Sequence, residues 1–174
     1  GEIRDRETAE TAIQSALTGH LLFSTLHTND AAGAITRLLD IGVENFLLSS
    51  TLLGILAQRL VRVICPHCKR RVDPEEKLVK AMNLSPDTLC GVEIFAGAGC
   101  EECKHTGFRG RIGIFEYLPV DDDSRREITA RSSTERIKDV ALEKGLLTLR
   151  QDGWNKVKRG ITTISEVLRV TLEK

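Results

Sequence analysis

The 174-residue sequence predicts an α/β fold that carries an inserted tetracysteine module and ends in helices. Three observations point there. Apolar residues recur at helical spacing over residues 6–41 but are interrupted by one short continuous run, Leu21-Leu22-Phe23. Two Cys-x-x-Cys pairs occupy the middle of the chain. Beyond Leu118 the apolar stripes have helical period throughout.

The elements follow in order. Residues 6–18 read as a helix, because Ala9, Ala12, Ile13, Ala16 and Leu17 make the i, i+3, i+4, i+7, i+8 stripe of a half-buried helix. Gly19 stands where a helix end favours a left-handed residue. Residues 20–26 predict a short buried parallel strand. Its far end, Thr25-Leu26-His27-Thr28-Asn29-Asp30, opens a helix over 31–41 that Gly42 ends. Open α/β sheets hold ligands at strand ends, and helix N-termini favour phosphate. With Glu2 at a strand tip in the same segment, the expectation is a phosphate site; the alternative is that His20 and His27 are structural histidines beside a surface loop. Residues 54–64 alternate Ile55, Ala57, Val61 and Val63 with polar neighbours and predict a strand, as do residues 111–118. Helices are expected at 121–130, after a Ser132-x-x-Glu135 capping box and stopped by Gly145, at 147–159, and after Thr163-x-x-Glu166. The chain divides on this reading into 1–64, 65–118 and 119–174.

The pairs Cys65-Pro66-His67-Cys68 and Cys100-Glu101-Glu102-Cys103 are 31 residues apart. Two residues between thiolates let the backbone turn around one ion, so four cysteines in two such turns suit a closed tetrahedral Zn²⁺ site of structural type. The separation exceeds the usual spacing and implies a helix folded into the loop, with Asp73 as N-cap and Pro74 in the first turn. The alternatives are two disulfides or five unrelated core thiols; no signal-peptide pattern supports disulfides. His67 and His105 could also ligate, although four cysteines already close the shell. Cys90, the fifth thiol, is expected to be a small buried apolar residue.

Composition excludes several classes. Lys+Arg and Asp+Glu both total 25, so the net charge is zero, against a surface built to coat nucleic acid. No apolar run approaches the ~20 residues a membrane-spanning helix needs. Arg59, Arg62, Lys69, Arg70, Arg71, Lys104, Arg109 and Arg111 gather near the cysteines. They read as a solvated face, as a dock for an acidic partner or anionic lipid, or as a nucleic-acid ribbon. Aromatics make up only 4 % of the chain and do not interleave with these cations, so base stacking is poorly supported.

Gly1-Glu2-Ile3-Arg4-Asp5 with Glu7-Thr8-Ala9 resembles the Walker B box of the ATPases of type II secretion and type IV pilus assembly. Thr18-Gly19-His20 through His27-Thr28-Asn29-Asp30 resembles their histidine box. The likeness continues through Gln58-Arg59-Leu60-Val61-Arg62, the cysteine pairs, Gly107-Phe108-Arg109-Gly110-Arg111-Ile112-Gly113 and Leu149-Arg150-Gln151-Asp152-Gly153. It covers nearly the whole chain. Pilus retraction motors usually lack the cysteine module, so the resemblance is to the secretion or assembly branch, type II secretion first and pilus assembly second. No Gly-x-x-x-x-Gly-Lys-Ser/Thr occurs in the 174 residues. The expectation is therefore the C-terminal part of a longer protein, entered at Walker B and inactive by itself.

The resemblance implies a RecA-like core and a homo-hexamer, cytoplasmic and peripheral at the bacterial inner membrane. It implies partners among the inner-membrane platform and the cytoplasmic-domain proteins of a secretion machine, and ATP with Mg²⁺ as cofactors. Glu2 would polarise the attacking water or hold Mg²⁺ through water. His20 and His27 would sense the γ-phosphate or a facing subunit, and Arg4 and Asp5 would fix the strand tip. A reading of another class is a non-enzymatic zinc adaptor built from residues 65–174.

Overall fold

The computed structural model describes residues 1–172, so the last two residues of the expected 119–174 segment lie outside the described residues. The chain forms two compact units, each assembled from two separated stretches. The first comprises Gly1–Ala57 and Glu116–Leu147, and the second Gln58–Phe115 with the residues from Thr148 on.

In the first unit, helix α1 (Arg6–Leu17) is N-capped by Asp5, whose Oδ1 accepts from the Thr8 amide at 2.9 Å. Helix α2 (Ala31–Asp40) buries Ala31, Ala32, Ala34, Ile35 and Leu38, so one wall of the core is small and lets neighbours approach closely. Helix α3 (Asn45–Thr51) was not expected from the sequence. Its Ser49-Ser50-Thr51 end is poor in helix formers, and it is held by packing on α1 and on α6 (Asp122–Thr129). Helix α7 (Thr134–Glu143) packs on α2 and α6. Its N-cap is Ser133, one residue beyond the expected Ser132. Ala9, Ile35, Val43, Leu118, Ile128 and Ile137 are among the buried residues that fill the core between these helices.

Residues 20–24 are not the buried strand expected. Thr25 makes an isolated parallel bridge to Glu2, with Ile3 N donating to Thr25 O at 3.0 Å and Thr25 N to Gly1 O at 3.3 Å. The parallel direction agrees with expectation, yet Leu21 is 70 % and Phe23 84 % exposed. The physical reason is pairing: among the described residues this segment finds only that one short neighbour, and no layer covers its apolar side chains.

The second unit holds the cysteine module. Strands β1 (Gly54–Ile64) and β4 (Phe108–Pro119) form a two-stranded sheet. Strands β2 (Lys69–Arg71) and β3 (Phe95–Gly97) form a second, antiparallel one, pairing Lys69 with Gly97 and Arg71 with Phe95. The loop between the cysteine pairs does contain helices, α4 (Glu76–Ala81) and α5 (Pro86–Leu89). Helix α4 starts from Glu75 rather than from the expected Asp73-Pro74 cap. Helices α8 (Leu149–Lys158) and α9 (Ile164–Thr171) pack together, and Met82, Ile94, Trp154, Val157 and Val167 make the core beneath them. The helices after residue 118 thus divide, α6 and α7 to the first unit and α8 and α9 to the second. Glu166 is only 2 % exposed, and its carboxylate receives Arg62 Nη2 at 2.7 Å, the Arg62 amide at 2.9 Å and Arg169 Nη2 at 2.8 Å.

Candidate functional site

Two constellations carry chemistry, one in each unit. In the second unit the Sγ atoms of Cys65, Cys68, Cys100 and Cys103 all lie within 4.8 Å of one another. The closest pairs are Cys100–Cys103 at 3.7 Å, and Cys65–Cys100 and Cys68–Cys103 at 3.9 Å. A tetrahedron with Zn–S bonds of 2.3 Å has S···S edges of about 3.8 Å, whereas a disulfide needs about 2.05 Å. The spacing therefore fits one tetrahedral ion and excludes S–S bonds in this geometry. Backbone amides point at the sulfurs: Gly99 N lies 3.3 Å from Cys68 Sγ, and Cys100 N and Gly107 N each lie 3.2 Å from Cys103 Sγ. Such donors stabilise thiolate ligands and orient them.

The turns are built for this approach. A Cβ on Gly97 would run into the Gly107 carbonyl, and one on Gly107 would sit 2.6 Å from the Gly97 oxygen. Burial pushes the Cys68 thiol up to about 11. Burial works against Cys103 as well, but the Cys100 and Gly107 amides hold it down to about 6. Four adjacent thiols cannot all ionise without a neighbouring cation, so the donor set suits a divalent ion that draws their protons off. His67 and His105 are not part of the cluster. Cys90 is exposed, contrary to the expectation of burial, because α5 ends just before it and leaves it on the outside.

In the first unit the parallel bridge to Thr25 sets Glu2 beside the loop that carries His27. Glu2 Oε2 accepts from Arg4 Nε at 2.7 Å, with Arg4 Nη2 at 2.6 Å. The Arg4 hydrogen bond holds the Glu2 carboxyl below its ordinary range despite partial desolvation, so it is ionised at neutral pH. Glu2 Oε1 lies 2.7 Å from His27 Nε2. That oxygen is nonetheless shielded from solvent, and no donor is aligned on it for a hydrogen bond. Glu2 Oε1 thus lies beside the imidazole without accepting a hydrogen bond from it. The His27 side chain is otherwise 89 % exposed.

The structure thus brings Glu2, Arg4 and His27 together. Asp5 spends its carboxylate on the α1 cap. His20 is apart, with its Nδ1 3.0 Å from Thr18 Oγ1 and 3.3 Å from Ser15 O at the end of α1. The start of α2 is not an open phosphate cradle. Asp30 Oδ1 accepts from Gly33 N at 2.9 Å and Glu116 Oε1 from Ala31 N at 2.9 Å, so two carboxylates face its positive end. Lys138 Nζ in turn lies 2.7 Å from Asp30 Oδ2. Glu116 is a residue sequence reasoning passed over. The available signal was its register on β4, where it shares the inward face with Ile114 and Leu118, an unusual place for a carboxylate.

Several of the clustered cations are already engaged. Arg62 pairs with Glu166 and stacks on Phe108 at 4.1 Å, and Lys69 lies over Phe95 at 4.4 Å. Arg71 pairs with Glu93 and Arg109 with Glu102. No helix among the described residues is long and apolar enough to cross a membrane.

The family model described as "Type II/IV secretion system protein" matches residues 1–169. The type IV pilus assembly ATPase PilB of Thermus thermophilus is 51 % identical over 173 residues, covering 99 % of this chain and 20 % of PilB. The type II secretion system protein E of Pseudomonas aeruginosa is 51 % identical over 174 residues, covering 100 % of this chain and 34 % of that protein. The chain thus spans a fifth to about a third of these relatives. Among solved structures, the pilus retraction motor PilT with bound ADP superposes with a TM-score of 0.65 at 26 % identity, covering 99 % of this chain and 38 % of that one. The ATPase DotB of Legionella pneumophila has a TM-score of 0.60 at 20 % identity, a likeness of fold, over 98 % of this chain and 37 % of that one.

Proposed function

The chain belongs to the Type II/IV secretion system protein family, and from that premise we propose that it is the C-terminal portion of a hexameric ATPase that powers type II protein secretion from the cytoplasmic side of the inner membrane. In this reading the first 64 residues belong to a RecA-like core, and residues 65–118 carry a structural Zn²⁺ held by Cys65, Cys68, Cys100 and Cys103. The machine's partners are the inner-membrane platform and the cytoplasmic-domain proteins that dock on it. Type IV pilus assembly stays as the second reading because the Thermus and Pseudomonas relatives are equally identical to this chain, at 51 %.

The observation that carries the enzymatic reading is the solvent-shielded Glu2 Oε1 without an aligned donor. An acceptor that is shielded from water and receives no hydrogen bond is retained where a ligand or catalytic water completes it. The zinc-adaptor reading of residues 65–174 has no use for it. ATP with Mg²⁺ supplies, when bound, a γ-phosphoryl group open to in-line attack by water. The residues here provide the acidic and imidazole side of that site; the Gly-x-x-x-x-Gly-Lys-Ser/Thr loop is not among them. Glu2 orients the attacking water or holds one in the metal's shell. Arg4 keeps Glu2 ionised and aimed, and His27 faces the charge that develops beside it. Asp5 fixes the helix behind the strand tip. His20 has the smaller share, since its ring is tied to Thr18 and Ser15.

The test is steady-state ATPase activity and nucleotide affinity of the full-length protein with Glu2→Gln. The expected loss in kcat is ~10³-fold, about 4 kcal/mol, with nucleotide affinity changed little, because the carboxylate acts mainly as charge moves to the leaving phosphate. Near-normal turnover would remove Glu2 from the chemistry.

A further inference from the structure

We propose that Glu116 is a positioning residue that holds His27 against Glu2. The loop from Thr25 to Ala31 is pinned at both ends. At the first end, Thr25 is bridged to Glu2 by hydrogen bonds with Gly1 and Ile3. At the second, Ala31 N donates to Glu116 Oε1 at 2.9 Å across 85 positions of sequence. Within the loop Thr28 Oγ1 donates to Asp30 O at 3.1 Å, and Asp30 is fixed from its other side by Lys138 at 2.7 Å.

His27 sits between the two pins with its side chain 89 % exposed, so packing does not place its ring. The backbone of the loop does, and Glu116 sets the loop's second end. Glu116 is 2 % exposed, so the site carries a buried carboxylate where β4 could have carried another apolar residue beside Ile114 and Leu118. A buried carboxylate is costly unless the hydrogen bonds it makes and the placement they secure repay its desolvation, and one of those bonds goes to Ala31 N. Asp30 already caps the helix through Gly33 N, and Glu116 fixes the backbone at Ala31 as well.

The activity arm of the test rests on the ATPase reading, and the spectroscopic arm does not. In the full-length protein, Glu116→Ala lowers kcat about 10–100-fold, the range a misplacement near 1 Å produces, with nucleotide affinity unchanged. Glu116→Gln, which keeps an acceptor at the same reach, recovers most of the loss. In the His27→Ala background the Glu116→Ala effect shrinks toward nothing, because both act through one contact. In the 174-residue chain, the His27 ring resonances move on Glu2→Gln and again on Glu116→Ala. Fully additive kcat losses, or His27 resonances that ignore Glu116→Ala, overturn the proposal. If Glu116→Ala fails to fold, Glu116→Asp, which retains the charge but draws it back by one methylene, replaces it with the same readouts and the same deciding outcomes. Failure of the ATPase reading is separable, since it appears as Glu2→Gln retaining turnover while the resonance shifts still decide the role of Glu116.

Discussion

Replacing Cys65 by Ser should release one equivalent of zinc and collapse the second unit, whereas Cys90→Ala should do neither. The size of the effect follows from the geometry. Cys65 is fully buried and its sulfur lies 3.9 Å from Cys100 Sγ, and a serine hydroxyl there, shorter and hard to deprotonate, replaces a thiolate donor poorly. A metal joining Cys68 to Cys100 closes a loop of 31 intervening residues. The chain-entropy relation for cross-links gives about 3.7 kcal/mol for a closure of that length. Structural zinc sites have apparent binding free energies of roughly 10–16 kcal/mol at neutral pH, so loop closure is a lower bound on what the ion contributes. For a domain of 60–100 residues each kcal/mol moves Tm by about 4–8 °C, so the loss should lower the unit's Tm by ~15–30 °C. The assay is differential scanning calorimetry of wild type, Cys65→Ser and Cys90→Ala, with and without a chelator, alongside metal content by plasma mass spectrometry. Zinc well below one per chain in the wild type, or a Cys90→Ala melt that falls as far as that of Cys65→Ser, would refute the ligand set. The exposed position of Cys90 sharpens the contrast, because truncating it leaves no cavity.

Two further outcomes are expected. The 174-residue chain alone should hydrolyse ATP no faster than a Glu2→Gln control under a malachite-green phosphate assay, since the phosphate-cradling loop is not part of it; turnover that Glu2→Gln removes would contradict this. Burial pushes the Glu166 carboxyl up, but Arg169 and Arg62 pull harder and hold it at about 2, below its ordinary 4.5. A depressed carboxylate contributes stability that is complete above its unfolded value and is lost as pH falls through the folded one. The stability difference between wild type and Glu166→Gln, read by urea melts, should therefore be largest at neutral pH and shrink between about pH 4.5 and 2; a difference that stays flat over that window would place the carboxylate's contribution elsewhere.

The local elements were largely legible. Helices α1, α2, α6, α8 and α9 and strand β4 lie within a few residues of where periodicity and caps put them, and the Cys-x-x-Cys spacing marked the four thiols that the structure brings together. What escaped was whatever depends on distant partners. Leu21-Leu22-Phe23 reads as a buried strand because its composition says nothing about whether neighbours are present to cover it. Helix α3 is held by α1 and α6 against its own weak propensity. The Glu2–Arg4 contact is local and was readable, but Glu116 on Ala31 and Glu166 on Arg62 join residues 85 and 104 positions apart. A pass along the chain can flag an acid at an inward strand position; it cannot say which amide that acid meets.

The construction of each unit from two separated stretches sets an order on biosynthesis. The first unit cannot close when Ala57 leaves the ribosome, because Glu116 and the helices after it have yet to be made. At 5–20 residues per second, the roughly 60 residues in between keep its apolar surfaces waiting for about 3–12 s. The cysteine module lies entirely within that interval, with all four thiols synthesised once Cys103 has emerged. Metal capture there would fold β2, β3 and the knuckles first and draw β1 toward the emerging β4, shortening the effective loop that later contacts must close. The ion would then act on when the molecule folds as well as on how firmly it stays folded, and zinc starvation during translation would yield aggregated chains that zinc added afterwards does not recover.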